Sequence, residues 1–355
     1  MLDAADKRRD QGLAYPFKER PPVGGAVEIR PGVLWLRMPM PFALDHINLW
    51  AIRDDDGWTI VDTGLRTEDV ANAWHSLLRV DGPLGGRPIT RVVATHMHPD
   101  HVGMAGWLTR RFGCPLWMTR LEYLSCRVMV SDTGREAPEE GVEFYRRAGW
   151  SEFDLDHYRT RFGAFGRMIH PLPDSFERLW DGQGLEIGGL TWEVIIGSGH
   201  SPEHACLHCA ELGLLISGDQ VLPKISSNTS VFPTEPNADP LREWLDSIER
   251  LRQRLPADVL VLPAHNDPFT GLHVRLSQLQ ESTLHSLSRL RGALSEPKRA
   301  VDLVSFLFRR EVVSDSTHFR LATGEGIAGL NYLIARGEAK TRIAHDGIAW
   351  YEAQA

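Results

Sequence analysis

Between residues 26 and 63 apolar and polar positions alternate with a period near two, in the runs VEIRPGVLWLRMP, HINLWAIR and WTIVDTG. That period puts successive side chains on opposite faces of an extended chain, so β-runs are expected there. Asp55, Asp56 and Gly57 suit the tight turn between the last two. The period changes at Glu68: Val70, Trp74, Leu77 and Leu78 share one face of a helix expected over 68–80. PITRVVATH is apolar without alternation and reads as a buried strand that runs into a His-rich loop. GMAGWLTRRFG then reads as a short helix and CPLWMT as another strand. Residues 116–180 are crowded with aromatics, Tyr123, Tyr145, Trp150 and Tyr158 among them, and read as a mostly helical insertion. Strand patterns return at LEIGGLTWEVIIG, ACLHCAELGLLISGD and DVLVLPAH. Strands first, then strands alternating with helices, predict an α+β fold of sheets covered by helices.

Beyond Leu272 the texture turns helical. SQLQESTLHSLSRLRGAL, VDLVSFLFRRE and EGIAGLNYLIARGE read as three helices, and AKTRIAHDGIAWYEA as a hairpin turned by Asp346-Gly347. Three helices and a hairpin follow the order of a winged helix. With 355 residues and a prior of roughly 150 per domain, the chain divides into an arm at 1–25, a main unit at 26–271 and a winged-helix-like unit at 272–355. The arm is expected to dock loosely.

Charge and composition narrow the function. The net charge is −8. Residues 273–355 hold 11 Lys and Arg against 9 Asp and Glu, a weak footprint for nucleic acid. The first residues are charged and no apolar run approaches ~18 residues, so neither a secretory signal nor a membrane span is expected and the chain reads as cytoplasmic. Four cysteines exclude a dense disulfide framework. The CxxC of Cys206 and Cys209 lies in an expected strand and lacks the second pair of a structural zinc site.

The 15 histidines are grouped rather than scattered. Thr95-His96-Met97-His98-Pro99-Asp100-His101 concentrates three imidazoles and a carboxylate directly after a buried strand. Such a loop can turn alternate side chains toward one point, and imidazole with carboxylate suits zinc and neighbouring first-row metals. His200, Asp219 and His265 each end another apolar strand. Four strand ends that each finish in a metal-ligand residue predict one convergent site.

On these residues the chain resembles the metallo-β-lactamase superfamily over roughly residues 26–270, with Asp62 in IVDTG matching its first motif. GHSPEH resembles the GHTxGH stretch of glyoxalase II-like thioesterases. The C-terminal extension resembles the β-lactamase-like-protein-2 group. The resemblance implies a four-layer αββα sandwich and two divalent metal ions, zinc first, with iron or manganese also compatible. It implies that His96, His98 and His200 hold one metal, that Asp100, His101 and His265 hold the other, and that Asp219 bridges. Asp62 and His204 would support the ligands without binding metal.

The implied activity is hydrolysis of an ester or thioester in the manner of a hydroxyacylglutathione hydrolase. A hydroxide shared by the metals would attack the carbonyl, with Asp100 as proton carrier. Three alternatives stand beside it: a lactonase such as an acyl-homoserine lactone hydrolase, a single-strand endoribonuclease, and a metal-bearing regulatory or binding protein without catalysis. The expected partner is a small acyl substrate, and the aromatic insertion reads as an acyl-binding lid over the metals, a homodimer surface or simple core. Lys224, just past Asp219, is a candidate contact for an anionic group of the substrate. His273 and Arg275 are expected to be structural.

Overall fold

The structure, a computed structural model, describes residues 12–42, 44–307 and 316–354. A mixed sheet contains seven strands in sequence order: β1 (Ala26–Arg30), β2 (Val33–Pro39), β3 (His46–Arg53), β4 (Trp58–Val61), β5 (Ile89–Val93), β6 (Leu116–Thr119) and β7 (Glu177–Leu179). The first four pair antiparallel and the rest are added parallel. The run VEIRPGVLWLRMP, expected as one strand, is two, because it reverses at Pro31 and at Gly32, which has φ 79°.

A second sheet has the order β12-β11-β10-β9-β8, from β8 (Gly184–Ile187), β9 (Leu190–Gly197), β10 (His204–Cys209), β11 (Leu214–Gly218) and β12 (Leu260–Pro263). Only its β11–β12 pair is parallel.

Alternation along the strands sorts the core. Trp35, Trp50, Ile52 and Val93 of the first sheet join Trp192, Val194, Leu207 and Ile216 of the second in one apolar cluster. The opposite face of the first sheet, with Leu36, Leu49 and Ile60, packs on α1 (Glu68–Leu77), α3 (Ala105–Phe112) and α4 (Arg120–Ser131). A short helix, α2 (Pro99–Val102), precedes α3. β3 is buried from His46 to Ile52, so the polar positions of its alternating run, His46 and Asn48, are buried as well. Cys206 and Cys209 fall in different clusters on the two faces of the second sheet and so do not form a shared site.

The outer face of the second sheet meets α7 (Pro240–Arg254) and the first half of α8 (Leu272–Ala293), through Trp244, Ile248, Leu272, Leu276 and Leu279. The second half of α8 contributes Leu287 and Leu290 to a different cluster. That cluster joins α9 (Ala300–Leu307), α10 (Ser316–Ala335) and the hairpin β13 (Ala339–Ile343) and β14 (Ala349–Ala353). One continuous helix thus serves both sides of the expected boundary at 272.

One expectation is revised and another narrowed. The arm is firmly held from Gly12 onward: Ala14 bridges Thr270, Phe17 meets the Trp35 ring edge-on, and Arg20 makes a two-pronged ion pair with Asp267. Residues 1–11 lie outside the described residues. The insertion is helical in α4, α5 (Glu139–Arg147) and α6 (Glu152–Arg161). Much of its aromatic content is core rather than lid: Tyr145 stacks on Trp150, Trp150 stacks on Phe319 of α10, and all belong to the C-terminal cluster. Among the described residues no helix is long and apolar enough to cross a membrane.

Candidate metal centre

β5, β9, β11 and β12 each deliver a polar residue just beyond their last buried positions. Their loops bring His96, His98, His200 and Asp219 into one group of ligand atoms within 4.8 Å of one another, and Asp100, His101 and His265 into a second. Asp219 belongs to both neighbourhoods: its Oδ2 lies 3.4 Å from His200 Nε2, and its Oδ1 lies 3.4 Å from His265 Nε2 and 3.7 Å from His101 Nε2. Asp100 Oδ2 is 3.4 Å from His265 Nε2 and 3.6 Å from His101 Nε2.

The far side of three of the imidazoles is occupied. Asp62 accepts from His101 Nδ1 at 2.7 Å and from the Thr95 backbone N–H at 2.8 Å. His200 Nδ1 donates to the Asn228 carbonyl at 2.7 Å, and His265 Nδ1 to the His46 carbonyl at 3.0 Å. These bonds hold Nδ1–H on the outside and turn each Nε2 inward. His101 Nε2, His200 Nε2 and Asp219 Oδ1 are buried with no hydrogen-bond partner. Unpartnered buried polar atoms each cost about 1–3 kcal/mol, so this donor set fits cations that complete its coordination.

The site's field is divided. Burial, with the imidazoles of His101 and His98, holds His96 well below the ordinary histidine range, and burial beside His200 pushes His98 down to about 3. Burial also opposes charge at His101 and His265, but the carboxylates win. Asp62, Asp100 and Asp219 raise His101 well above its usual value, and Asp219 with Asp100 raises His265. Against their own burial, Asp100 falls to about 2 beside His101 and His265, and Asp219 falls well below the carboxylate range beside the same two rings. Both carboxylates therefore present negative charge at neutral pH to whatever cation occupies the centre.

His204 does not belong to either ligand group. Its Nε2 accepts the Asp219 backbone N–H at 3.1 Å, which orients Asp219. Gly199, at φ 103°, lets the loop before His200 press against α7, where a Cβ would stand 2.6 Å from the Pro240 carbonyl. Lys224 is exposed, with Nζ 5.4 Å from the Tyr15 ring centroid. Arg275 is structural: it donates to the carbonyls of Leu222 and Ile225. Tyr123 donates to the Pro173 carbonyl.

Three supports escaped the sequence reading. Glu122 of α4 is fully buried and accepts from Met97 N at 2.9 Å and Glu203 N at 2.8 Å, so one carboxylate clasps the His96–His98 loop to the His200–His204 loop. Burial raises its pKa despite those donors. Asn48 donates from Nδ2 to the carbonyls of Pro263 and Asn266, tying β3 to the loop of His265. A buried Asn inside HINLWAIR was a legible signal, since such a residue requires partners. Glu325, on α10, accepts from Asn228 Nδ2 at 2.7 Å and had no local signal.

Comparison with known proteins agrees with this geometry. The metallo-beta-lactamase superfamily model matches residues 43–265, well over half of the chain. The chain belongs to the metallo-β-lactamase superfamily. A separate model, the metallo-beta-lactamase-like C-terminal domain, matches residues 287–354. A β-lactamase domain protein from Burkholderia ambifaria is 39% identical, with TM-score 0.89 over 98% of this chain and 99% of that one. The probable metallo-hydrolase YqjP of Bacillus subtilis is 26% identical, covering 78% of this chain and 85% of its own length. The acyl-coenzyme A thioesterase MBLAC2 of Bos taurus is 24% identical, covering 67% and 79%. With its converged His and Asp cluster, this superfamily member is a metal-dependent hydrolase.

Proposed function

We propose that this superfamily member hydrolyses an acyl thioester at a two-metal centre, within a four-layer αββα sandwich that carries a winged-helix-like C-terminal unit. The observation that carries the two-metal reading is the pair of ligand groups meeting at Asp219, with inward atoms of His101, His200 and Asp219 left unpartnered by protein. His96, His98 and His200 would hold one ion, Asp100, His101 and His265 the other, and Asp219 both. Zinc is the first candidate, and iron or manganese suits the same donors. When bound, two divalent ions supply Lewis acidity that brings water toward a neutral pKa and polarises a carbonyl.

The protein's own groups do the rest. Asp62, the Asn228 carbonyl and the His46 carbonyl hold the three rings that they touch in one tautomer. Asp100, ionised and adjacent to both His101 and His265, is placed to carry a proton to the leaving sulfur. Two dications outweigh the two carboxylates, so the pocket favours an anionic or polar acyl substrate. Lys224, against Tyr15, would contact an anionic group of that substrate. The thioester class is supported by the similarity to acyl-coenzyme A thioesterases.

A panel of acyl-coenzyme A and acyl-glutathione thioesters, lactones, alkyl sulfates and short RNAs tests this reading with metal-loaded wild type and Asp100→Asn. Thioester turnover that falls at least about 100-fold in the variant is expected. Turnover of only lactones, sulfates or RNA would overturn it.

A further inference from the structure

The C-terminal helix α10 lies against the loop that supports a metal-ligand histidine. Val231 N donates to the Gly324 carbonyl at 3.1 Å, and Ser230 Oγ donates to the Leu321 carbonyl at 2.9 Å. The approach is close enough to require glycine: a Cβ on Gly324 would stand 2.7 Å from Ser230 Cβ and 2.9 Å from the Val231 carbonyl. One turn position further, Glu325 Oε1 accepts from Asn228 Nδ2 at 2.7 Å and from Thr229 N at 3.3 Å. Asn228 then turns its own carbonyl to His200, whose Nδ1 donates to it at 2.7 Å. His200 Nε2, at the other end of the ring, is the buried atom without a protein partner, 3.4 Å from Asp219 Oδ2.

We infer that Glu325 is a positioning residue through which the C-terminal unit completes the metal centre, by pinning Asn228 so that its carbonyl sets the tautomer and aim of His200. The inference rests on the metal-centre reading above. A carboxylate that fixes the Asn228 side chain and the Thr229 amide leaves the intervening peptide little freedom to rotate. The Asn228 carbonyl therefore stays on the His200 Nδ1–H, and the Nε2 lone pair stays inward. Without Glu325, the loop is held to α10 by the contacts of Ser230 and Val231, downstream of Asn228. The local fold then survives while the aim of one ligand is relaxed. Loss of outer partners of metal-bound histidines typically costs about 10- to 100-fold in metal affinity. Because both donors meet Oε1, an amide oxygen can replace it, and Gln is the conservative variant.

The experiment uses the full chain. Metal-free wild type, Glu325→Ala, Glu325→Gln and, as a remote control, Lys340→Ala are titrated with Zn²⁺ in competition with a chromophoric chelator. The same proteins are loaded with Co²⁺ and their visible absorption is recorded. Expected are an affinity loss of about 10-fold or more at one of two sites with an altered Co²⁺ spectrum in Glu325→Ala, recovery in Glu325→Gln, and no change in Lys340→Ala. Unfolding curves keep a folded Glu325→Ala distinguishable from a misfolded one. If Glu325→Ala unfolds, Glu325→Gln against Asn228→Gly carries the same comparison. Equal affinity and an identical Co²⁺ spectrum in folded wild type and Glu325→Ala overturn the inference. A wild type that binds no metal overturns the metal-centre reading itself.

Discussion

At the scale of single residues, the candidate ligands were legible and their supports mostly were not. His96, His98, Asp100 and His101 stand together in sequence, and His200, Asp219 and His265 each end an apolar strand, so strand ends alone assembled the set. Glu122 and Glu325 act across the fold, and their sequence neighbours give no sign of the loops they meet. Replacing Glu122 by Ala leaves the Met97 and Glu203 N–H groups without their acceptor, at about 1–3 kcal/mol each. Chemical unfolding of Glu122→Ala is therefore expected to show a loss of at least about 2 kcal/mol, and a loss below 0.5 would remove Glu122 from its role as a clasp.

Burial also pushes the Glu325 carboxyl up to about 7, above its unfolded value. A raised carboxyl favours the folded state at low pH, and that contribution is lost as pH rises from the unfolded value through about 7. Wild type measured against Glu325→Gln should thus lose relative stability between pH 5 and pH 8. A difference that stays constant across that range would contradict the shift.

At the scale of elements, periodicity located the strands and most helices, because each buries one face. It did not settle two features that depend on distant partners. The arm was expected to be loose because it has no periodic face, yet Ala14, Phe17 and Arg20 each find a partner far along the chain. For the aromatic insertion lid, dimer surface and core all stood open, because nothing local shows that Tyr145 and Trp150 meet Phe319. Helix α8 is the strut between the two units, with Leu276 and Leu279 on one cluster and Leu287 and Leu290 on another. Thr283 lies between these contacts, and proline there breaks the helix at a cost of about 3 kcal/mol. Thr283→Pro should lower the unfolding free energy by about 3 kcal/mol, and with it the midpoint, while the neighbouring exposed Ser282→Ala stays within about 0.5 kcal/mol. Equal midpoints would mean that α8 is not a strut.

At the scale of the molecule, chemistry lies where loops from two sheets meet, and the C-terminal unit reaches that place through α10. The pattern of strands revealed the first of these features and was silent on the second, since contact between units is set by tertiary packing. Binding to the folded state alone stabilises by about 2.7 kcal/mol at a hundredfold excess over Kd. Chelation should accordingly lower the melting temperature, and Zn²⁺ should restore it. In the proposed centre seven residues from four strand ends hold two ions. Elemental analysis of the reconstituted full chain, with Asp219→Ala beside it, tests that claim most directly. Two metals per chain in wild type and fewer than two in Asp219→Ala are expected; at most one in wild type, or two in both, would contradict it.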